Sequence, residues 1–367
     1  GVWSQLNLKL NGSNVENRKV LTNRVVSSTD ANRFIGGTTL RQVRVSDLNG
    51  ADSKYTTDPN RGYLISLLGY TLNKSIPNSA ELTAAPELRQ IGAVMHSSPI
   101  LLTNKGTVEY DVSSKSIISK DREDYVLFGT TQGVLHVVNE KTGEEKFAFV
   151  PNEMVENQKE AFLTPDQSSA GTDQLFYGID GPWTAYTEYV VASTDGLTVA
   201  KGKQDQTGKQ MVYGGLRMGG RSYYALDLAN MDQPKLQFHI SPADQKVYYN
   251  GSSKSFTPLQ YMGQSWSKPA IGWVKWGSSR KRVMFVGGGY DAGGSDGDAR
   301  TNGVKGKYAG YESDSYNPSF AQGGGVYMFD AENGDLLWWA SSQATTSDKA
   351  ATSGVIATQD QQLKYSV

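Results

Sequence analysis

Three short runs of the chain are apolar, continuous or alternating with polar residues: Leu135-His136-Val137-Val138, Tyr223-Tyr224-Ala225-Leu226 and Val326-Tyr327-Met328-Phe329. Runs of four to eight such residues between polar turns predict β-strands. Each run ends on Asn or Asp, at Asn139, Asp227 and Asp330. Aligning Asn139 with Asp330 also superposes Gly133 on Gly324, Gly143 on Gly334 and Phe147 on Trp338, so GVLHVVNEKTGEEKFAF and GGVYMFDAENGDLLWW are two spellings of one unit. The segment GRSYYALDL at 220–228 is a third copy.

The corner chemistry explains the shared letters. An Asn or Asp side chain at a strand end accepts hydrogen bonds from amides two residues on, closing a turn. The following glycine takes a positive φ and lets the next strand return antiparallel. The returning strand brings Phe147 and Phe149, or Trp338 and Trp339, to fill the space between sheets. The middle copy reads LANMDQP in place of the glycine turn, so its turn should be wider.

Two further strands precede each corner. One ends in small residues, as YVLFG (125–129), MVYGG (211–215) and RVMFVGG (282–288). The other opens at Pro99, Pro182 or Pro269, where a missing N–H costs little. Repeated units of four short antiparallel strands predict an all-β fold, a β-propeller with long insertions between strands. The expected organisation is a single propeller domain over 1–367, with blades at about 96–150, 179–240 and 266–340. Residues 1–45 should add strand, because SQLNLKL alternates, Asn11-Gly12 signals a hairpin and RKVLTNRVV follows. A short helix is expected near 62–70. Residues 103–121, 150–178, 188–208 and 239–262 read as polar connectors, and 289–323 as a long insertion in the third blade. A closed propeller needs at least four blades, and the chain starts at Gly1 and stops at LKYSV, so truncation at the C-terminal end is expected.

Composition narrows the chemistry. A formal net charge of −1 gives no electrostatic case for nucleic acid or an anionic membrane as the main partner. The absence of cysteine excludes disulfides, thiol nucleophiles and zinc–thiolate sites. No apolar run reaches the roughly 18–20 residues of a membrane helix; the longest is YLISLLGY at 63–70.

The candidate metal site is DAGGSDGDARTNG (291–303), where Asp291, Asp296 and Asp298 are hard oxygen ligands on a glycine-rich loop that could wrap Ca²⁺, although the spacing is not that of an EF-hand. The same insertion continues with Tyr308, Tyr311, Tyr316 and Phe320 among Gly and Ser, the mixture of a ligand-contact loop or of rings pinning the loop to the fold. His96, His136 and His239 read as structural, and their positions assemble no catalytic constellation. GGLRMGGR (214–221) and GGGYDAGG (287–294) are followed by strands rather than helices, so they are turn glycines and not phosphate cradles.

The ordered series from Arg89-Gln90-Ile91-Gly92-Ala93-Val94-Met95-His96-Ser97-Ser98-Pro99 through LFGTTQGVLHVVNEKTGEEKFAFVPNEM, GGLRMGGRSYYALDLANMDQP and GGGYD resembles the C-terminal propeller of the PilC/PilY-type type IV pilus tip proteins, across roughly residues 60–367. The resemblance implies a non-enzymatic protein at the pilus tip or outer-membrane surface of a Gram-negative bacterium. Such a protein promotes pilus assembly, opposes retraction and supports adhesion and twitching, with minor pilins and host or surface ligands as partners. Ala93 stands where the family carries Asp. The family's calcium loop would fall just after a segment like LKYSV, so its ligands cannot be carried onto this chain. Two other readings stay open: a quinoprotein dehydrogenase propeller holding pyrroloquinoline quinone with calcium, which the lack of cysteine disfavours, and an outer-membrane assembly scaffold.

Overall fold

A computed structural model describes residues 1–50, 53–72, 76–163, 176–292, 322–341 and 343–344. Its strands, in chain order, begin with β1 (Val20–Val26) and β2 (Phe34–Gln42), then β3 (Ile100–Asp111), β4 (Ser116–Gly129), β5 (Leu135–Asn139) and β6 (Glu145–Val150). The second group is β7 (Trp183–Glu188), β8 (Val190–Val191), β9 (Leu197–Thr198), β10 (Lys209–Gly215), β11 (Tyr223–Asp227), β12 (Lys235–Ser241), β13 (Lys246–Tyr249) and β14 (Ser252–Ser255). The last is β15 (Ala270–Trp276), β16 (Ser279–Gly287), β17 (Gly325–Asp330) and β18 (Leu336–Ser341). The short helices are α1 (Val2–Gln5), α2 (Arg61–Ser66), α3 (Ser79–Ala84) and α4 (Asn152–Gln158).

Each of the three sheets among the described residues contains one four-stranded antiparallel meander, β3-β4-β5-β6, β7-β10-β11-β12 and β15-β16-β17-β18. Asn139, Asp227 and Asp330 occupy the same slot in all three. They end the third strand and pair with Tyr125, Met211 and Val283 on the second. Asn139 Oδ1 accepts from the amides of Lys141 and Thr142 at 3.0 and 3.1 Å, Asp227 Oδ1 from Ala229 at 3.0 Å, and Asp330 Oδ1 from Glu332 at 2.8 Å. A bulge follows at the same place in every copy, between Val137 and Val138, Ala225 and Leu226, and Met328 and Phe329. Gly143 and Gly334 carry φ of 72° and 77°. The turn without glycine is the wider one, spanning 228–234 against 140–144 and 331–335.

The second strands end in small residues because the lead-in to the next blade crosses them. A Cβ on Gly129 would lie 2.3 Å from the Ile179 carbonyl oxygen, and one on Gly215 would lie 2.5 Å from that of Ser265. The serine two places before the strand-opening proline closes the same junction: Ser97 Oγ accepts from Gly129 N at 2.9 Å and Ser267 Oγ from Gly287 N at 3.1 Å. The middle sheet is buried on both faces with period two. Val212, Tyr224 and Leu226 join the core shared with the first sheet, whereas Met211, Tyr213, Tyr223 and Ala225 join the core shared with the third. This is why its strands read as unbroken apolar runs. Together with the family assignment below, it is the β-propeller fold.

The N-terminal and connecting regions depart from expectation. SQLNLKL forms no strand; Val2–Gln5 is helical, and Lys9 donates its amide to Leu68 O at 2.7 Å and its ammonium to Ala85 O at 2.7 Å, so buried Leu6 and Leu8 face the α2–α3 region instead of a sheet. The Asn11-Gly12 turn does form, with Asn11 Oδ1 accepting from Ser13 N at 2.8 Å. β1 and β2 make no blade of their own; β1 runs parallel to β6, pairing Val20 with Ala148 and Leu21 with Phe149, at the edge of the first sheet. Residues 103–121 are not a connector, since β3 and β4 continue past the blade as a hairpin pairing Val108 with Ser119 and Tyr110 with Ile117. Its exposed face carries Val108, Tyr110, Val112 and Ile117. Within 150–178 lies α4, and within 188–208 and 239–262 lie the small strands β8–β9 and β13–β14.

A buried triad fastens β1 to the first blade. Glu145 takes Arg18 Nε at 2.6 Å and Arg18 Nη2 at 3.0 Å, and accepts from His136 Nδ1 at 2.7 Å. Burial opposes the Glu145 charge, but the Arg18 guanidinium and the His136 hydrogen bond hold its pKa down to about 2. Burial pushes the His136 pKa below its ordinary value, against the pull of Glu145. Both folded values lie below the unfolded ones, so the unfolded chain takes up more protons and stability is lost as pH falls. The His136 share goes first, below its unfolded value near 6.5, and the Glu145 share follows between about 4.5 and 2. The unfolding free energy from chemical denaturation should therefore drop from pH 7 to pH 5 with a slope of up to about 1.4 kcal/mol per pH unit from this one proton. In His136→Gln that limb should flatten; an unchanged slope would assign it to other groups.

Candidate functional site

Of the residues expected to hold calcium, Asp291 is buried just after β16, and its Oδ2 accepts from Gln322 N at 3.4 Å. Asp296 and Asp298 lie outside the described residues, as do Tyr308, Tyr311, Tyr316 and Phe320. Among the described residues no three His, Asp or Glu side chains converge in the manner of a metal site.

Elsewhere among the described residues, a cleft of about 780 Å³ lies between the β1–β2 hairpin, α4 and the outer strands of the second blade. Its walls exist because β2 lies against β12 and β13, with Thr38 Oγ1 accepting from Gly251 N at 2.9 Å. Its floor is tied by Arg24, buried on β1. Arg24 donates Nε and Nη2 to the two Asp58 carboxylate oxygens at 2.8 Å each, and Nη1 to Asn152 Oδ1 at 2.9 Å and to Glu156. Asn23 Oδ1 accepts from Asn152 N at 2.7 Å, which fixes the start of α4 against the strand.

One wall is a cross-strand column of rings. Tyr224 on β11, His239 on β12 and Tyr248 on β13 are register neighbours. Tyr224 and His239 stack at 4.4 Å and 5°, and His239 and Tyr248 at 5.6 Å and 18°. Glu153 of α4 closes the inner end. Its Oε2 accepts from Ser222 Oγ and from Tyr224 OH, both at 2.7 Å, with His239 Nε2 at 3.6 Å. Because Ser222 gives its proton to Glu153, the 3.1 Å contact between Ser222 Oγ and His239 Nε2 assigns the proton to Nε2. His239 Nδ1 makes no hydrogen bond among the described residues. Burial, and then the Glu153 carboxylate, raise Tyr224 far above the ordinary phenol range. Burial and Asp244, which accepts from Tyr248 OH at 3.0 Å, push Tyr248 up to about 12. Both phenols are donors at physiological pH.

Ser222, His239 and Glu153 are thus a serine, histidine and acid in contact, an assembly no spacing in the sequence suggested. Their order is wrong for hydrolysis. The carboxylate sits on the serine and on the same imidazole nitrogen, so it takes the serine proton rather than orienting the ring as a base. The arrangement is a rigid polar wall. A second cluster joins the first two blades: His96 Nδ1 lies 2.9 Å from buried Asp180, and Arg217 lies 3.6 Å from the same carboxylate while stacking on Trp266 at 3.9 Å.

The model of the PilY1 beta-propeller domain matches residues 99–304, more than half of the chain and the stretch holding the first two repeated blades and the start of the third. The chain belongs to the PilY1 β-propeller family. A type IV pilus biogenesis factor PilY1 from Pseudomonas aeruginosa (strain UCBPP-PA14) is 27% identical over 217 residues, covering 57% of this chain and 16% of that protein. A PilY1 homologue from Xylella fastidiosa (strain Temecula1) is 26% identical over 215 residues, covering 53% and 13%. The chain therefore spans less than a fifth of either curated relative. The crystal structure of the Pseudomonas aeruginosa PilY1 C-terminal domain superposes with a TM-score of 0.35 at 19% identity over 64% of this chain and 32% of that one; at that level it adds nothing to the assignment. The repeated corner residues, placed equivalently in three meanders, are what this PilY1-family chain displays of the propeller.

Proposed function

We propose that the chain works in type IV pilus biogenesis as a non-enzymatic propeller carried at the pilus tip or outer surface, where it promotes assembly, opposes retraction and supports adhesion and twitching. The observation that carries this reading is the family match over 99–304, joined by two relatives named as pilus biogenesis factors. Minor pilins at the tip, and host or surface ligands, are the partners that go with it. A calcium ion on the 291–298 loop, and contact through Tyr308, Tyr311, Tyr316 and Phe320, belong to the same proposal and rest on the residue pattern alone. Removing the encoding gene from its source bacterium should abolish surface pili seen by electron microscopy, and restoring it should bring them back. Normal piliation and twitching in the deletion strain would reject the assignment.

A further inference from the structure

The cleft beside α4 has a function of its own to account for, independent of pilus assembly. Its charges are largely spoken for inside the protein. Glu156 is paired with Arg24, Glu153 is surrounded by the Ser222 and Tyr224 hydroxyls and His239, and Arg221 donates to the Met262 and Gln260 carbonyls. What remains open to a ligand is mostly uncharged, the hydroxyls and amides of Ser27, Ser28, Thr29, Asn157 and Ser241, with Asp244 and Arg33 of opposite sign at the mouth.

An anion would find Asp244 and the carboxylates of α4 against it, and a cation would find Arg33. A neutral ligand dense in hydroxyl groups is repelled by neither charge, and each of its O–H groups can both donate and accept among such side chains. The ring wall supplies the other half of the recognition. His239 covers one face of Tyr248, and no other described ring stacks on the opposite face of this half-buried phenol, while Phe34 lines the facing hairpin. A flat apolar surface next to a fan of hydrogen-bonding groups suits a pyranose ring, which has an apolar C–H face and a polar rim. His239, 8% exposed, also brings an unpartnered Nδ1 to the lining. A wall whose rotamers are locked by Glu153, Ser222 and the ring column is preorganised, which lowers the cost of ordering on binding.

We infer that this cleft binds a neutral oligosaccharide, with Tyr248 as the stacking platform and Asp244, Arg33 and the serine and asparagine hydroxyls and amides as hydroxyl partners. The test uses the whole 367-residue chain. Isothermal titration should be run with a panel of neutral di- and trisaccharides of glucose, galactose, mannose and N-acetylglucosamine. A sulfated hexasaccharide and a lysine-rich decapeptide serve as charged probes. Saturable binding is expected for at least one neutral sugar. Asp244→Asn and Tyr248→Ala should each weaken it by about tenfold or more. Asp244→Asn, on the exposed turn before β13, should not shift the thermal midpoint, whereas Tyr248→Ala also removes the ring stacked on buried His239 and should lower it. Tyr248→Phe, which keeps the ring, should lose less than Tyr248→Ala. Failure of every neutral sugar to bind, binding only of the charged probes, or equal affinity in Tyr248→Ala would overturn the inference. The pilus assignment would survive any of these results, because its own test reads piliation.

Discussion

Replacing Glu145 with glutamine should destabilise the fold by about 3–5 kcal/mol, the cost of leaving one member of a buried ion pair alone. Arg18 and Glu145 are each only 4% exposed, so water cannot solvate the guanidinium once its partner is neutral. One other acceptor for Arg18 is the Leu67 carbonyl at 2.7 Å, which satisfies a hydrogen but not the charge. The loss should appear in chemical denaturation as a lower midpoint with an unchanged slope, since the surface exposed on unfolding is the same. The cost measures the orphaned charge and not the worth of the pair. A triple replacement, Arg18→Met, Glu145→Leu and His136→Phe, should therefore lose less than the single change. The phenyl ring that His136→Phe introduces can keep the stack on Phe128 that His136 makes at 5.1 Å. A Glu145→Gln variant as stable as the original would show that no buried charge is orphaned, and a triple variant less stable than Glu145→Gln would show that the pair itself, and not the orphaned charge, carries the larger energy.

That triad also marks where sequence reading stops. The corner residues Asn139, Asp227 and Asp330, the glycines after two of them and the strand-opening prolines were legible because each acts on backbone within a few residues of itself. Local chemistry repeated three times leaves a pattern. The parallel docking of β1 on β6 leaves none, because Arg18 and Glu145 meet across a separation that no turn signal spans. SQLNLKL alternates like a strand, yet its leucines are buried by the α2–α3 region, and alternation cannot say which surface does the burying. The cleft was invisible for the same reason. It draws Asn23, Glu153, Ser222, His239 and Tyr248 from five separate segments, and none of them taken alone stands out from its neighbours in the sequence. His239 was legible as structural, and its ring stack is that; the acid and serine beside it were not legible at all.

Trp183 should be the most costly single side chain to remove from the second blade. It is 1% exposed, opens β7 immediately after the lead-in proline and belongs to the core shared with the first sheet. Its indole lies over Gly214, the residue paired with it on β10; a Cβ there would stand 2.1 Å from Trp183 Cδ2. A glycine inside a strand ordinarily weakens it, and an aromatic ring laid across the bare backbone restores the lost burial. Trp183→Ala should accordingly cost about 3–5 kcal/mol from transfer and cavity together. Gly214→Ala should cost about 1–3 kcal/mol by overpacking, with the ring forced out of place. The two losses should not add. With Trp183 already truncated, a methyl on residue 214 meets empty space, so Gly214→Ala in that background should be neutral or recover part of the loss. The buried indole N–H has no partner among the described residues, so Trp183→Phe should cost less than the change in size alone implies. Strict additivity in the double-mutant cycle would mean that the ring and the glycine are not in contact, and that the small residues closing each second strand answer to the next blade alone.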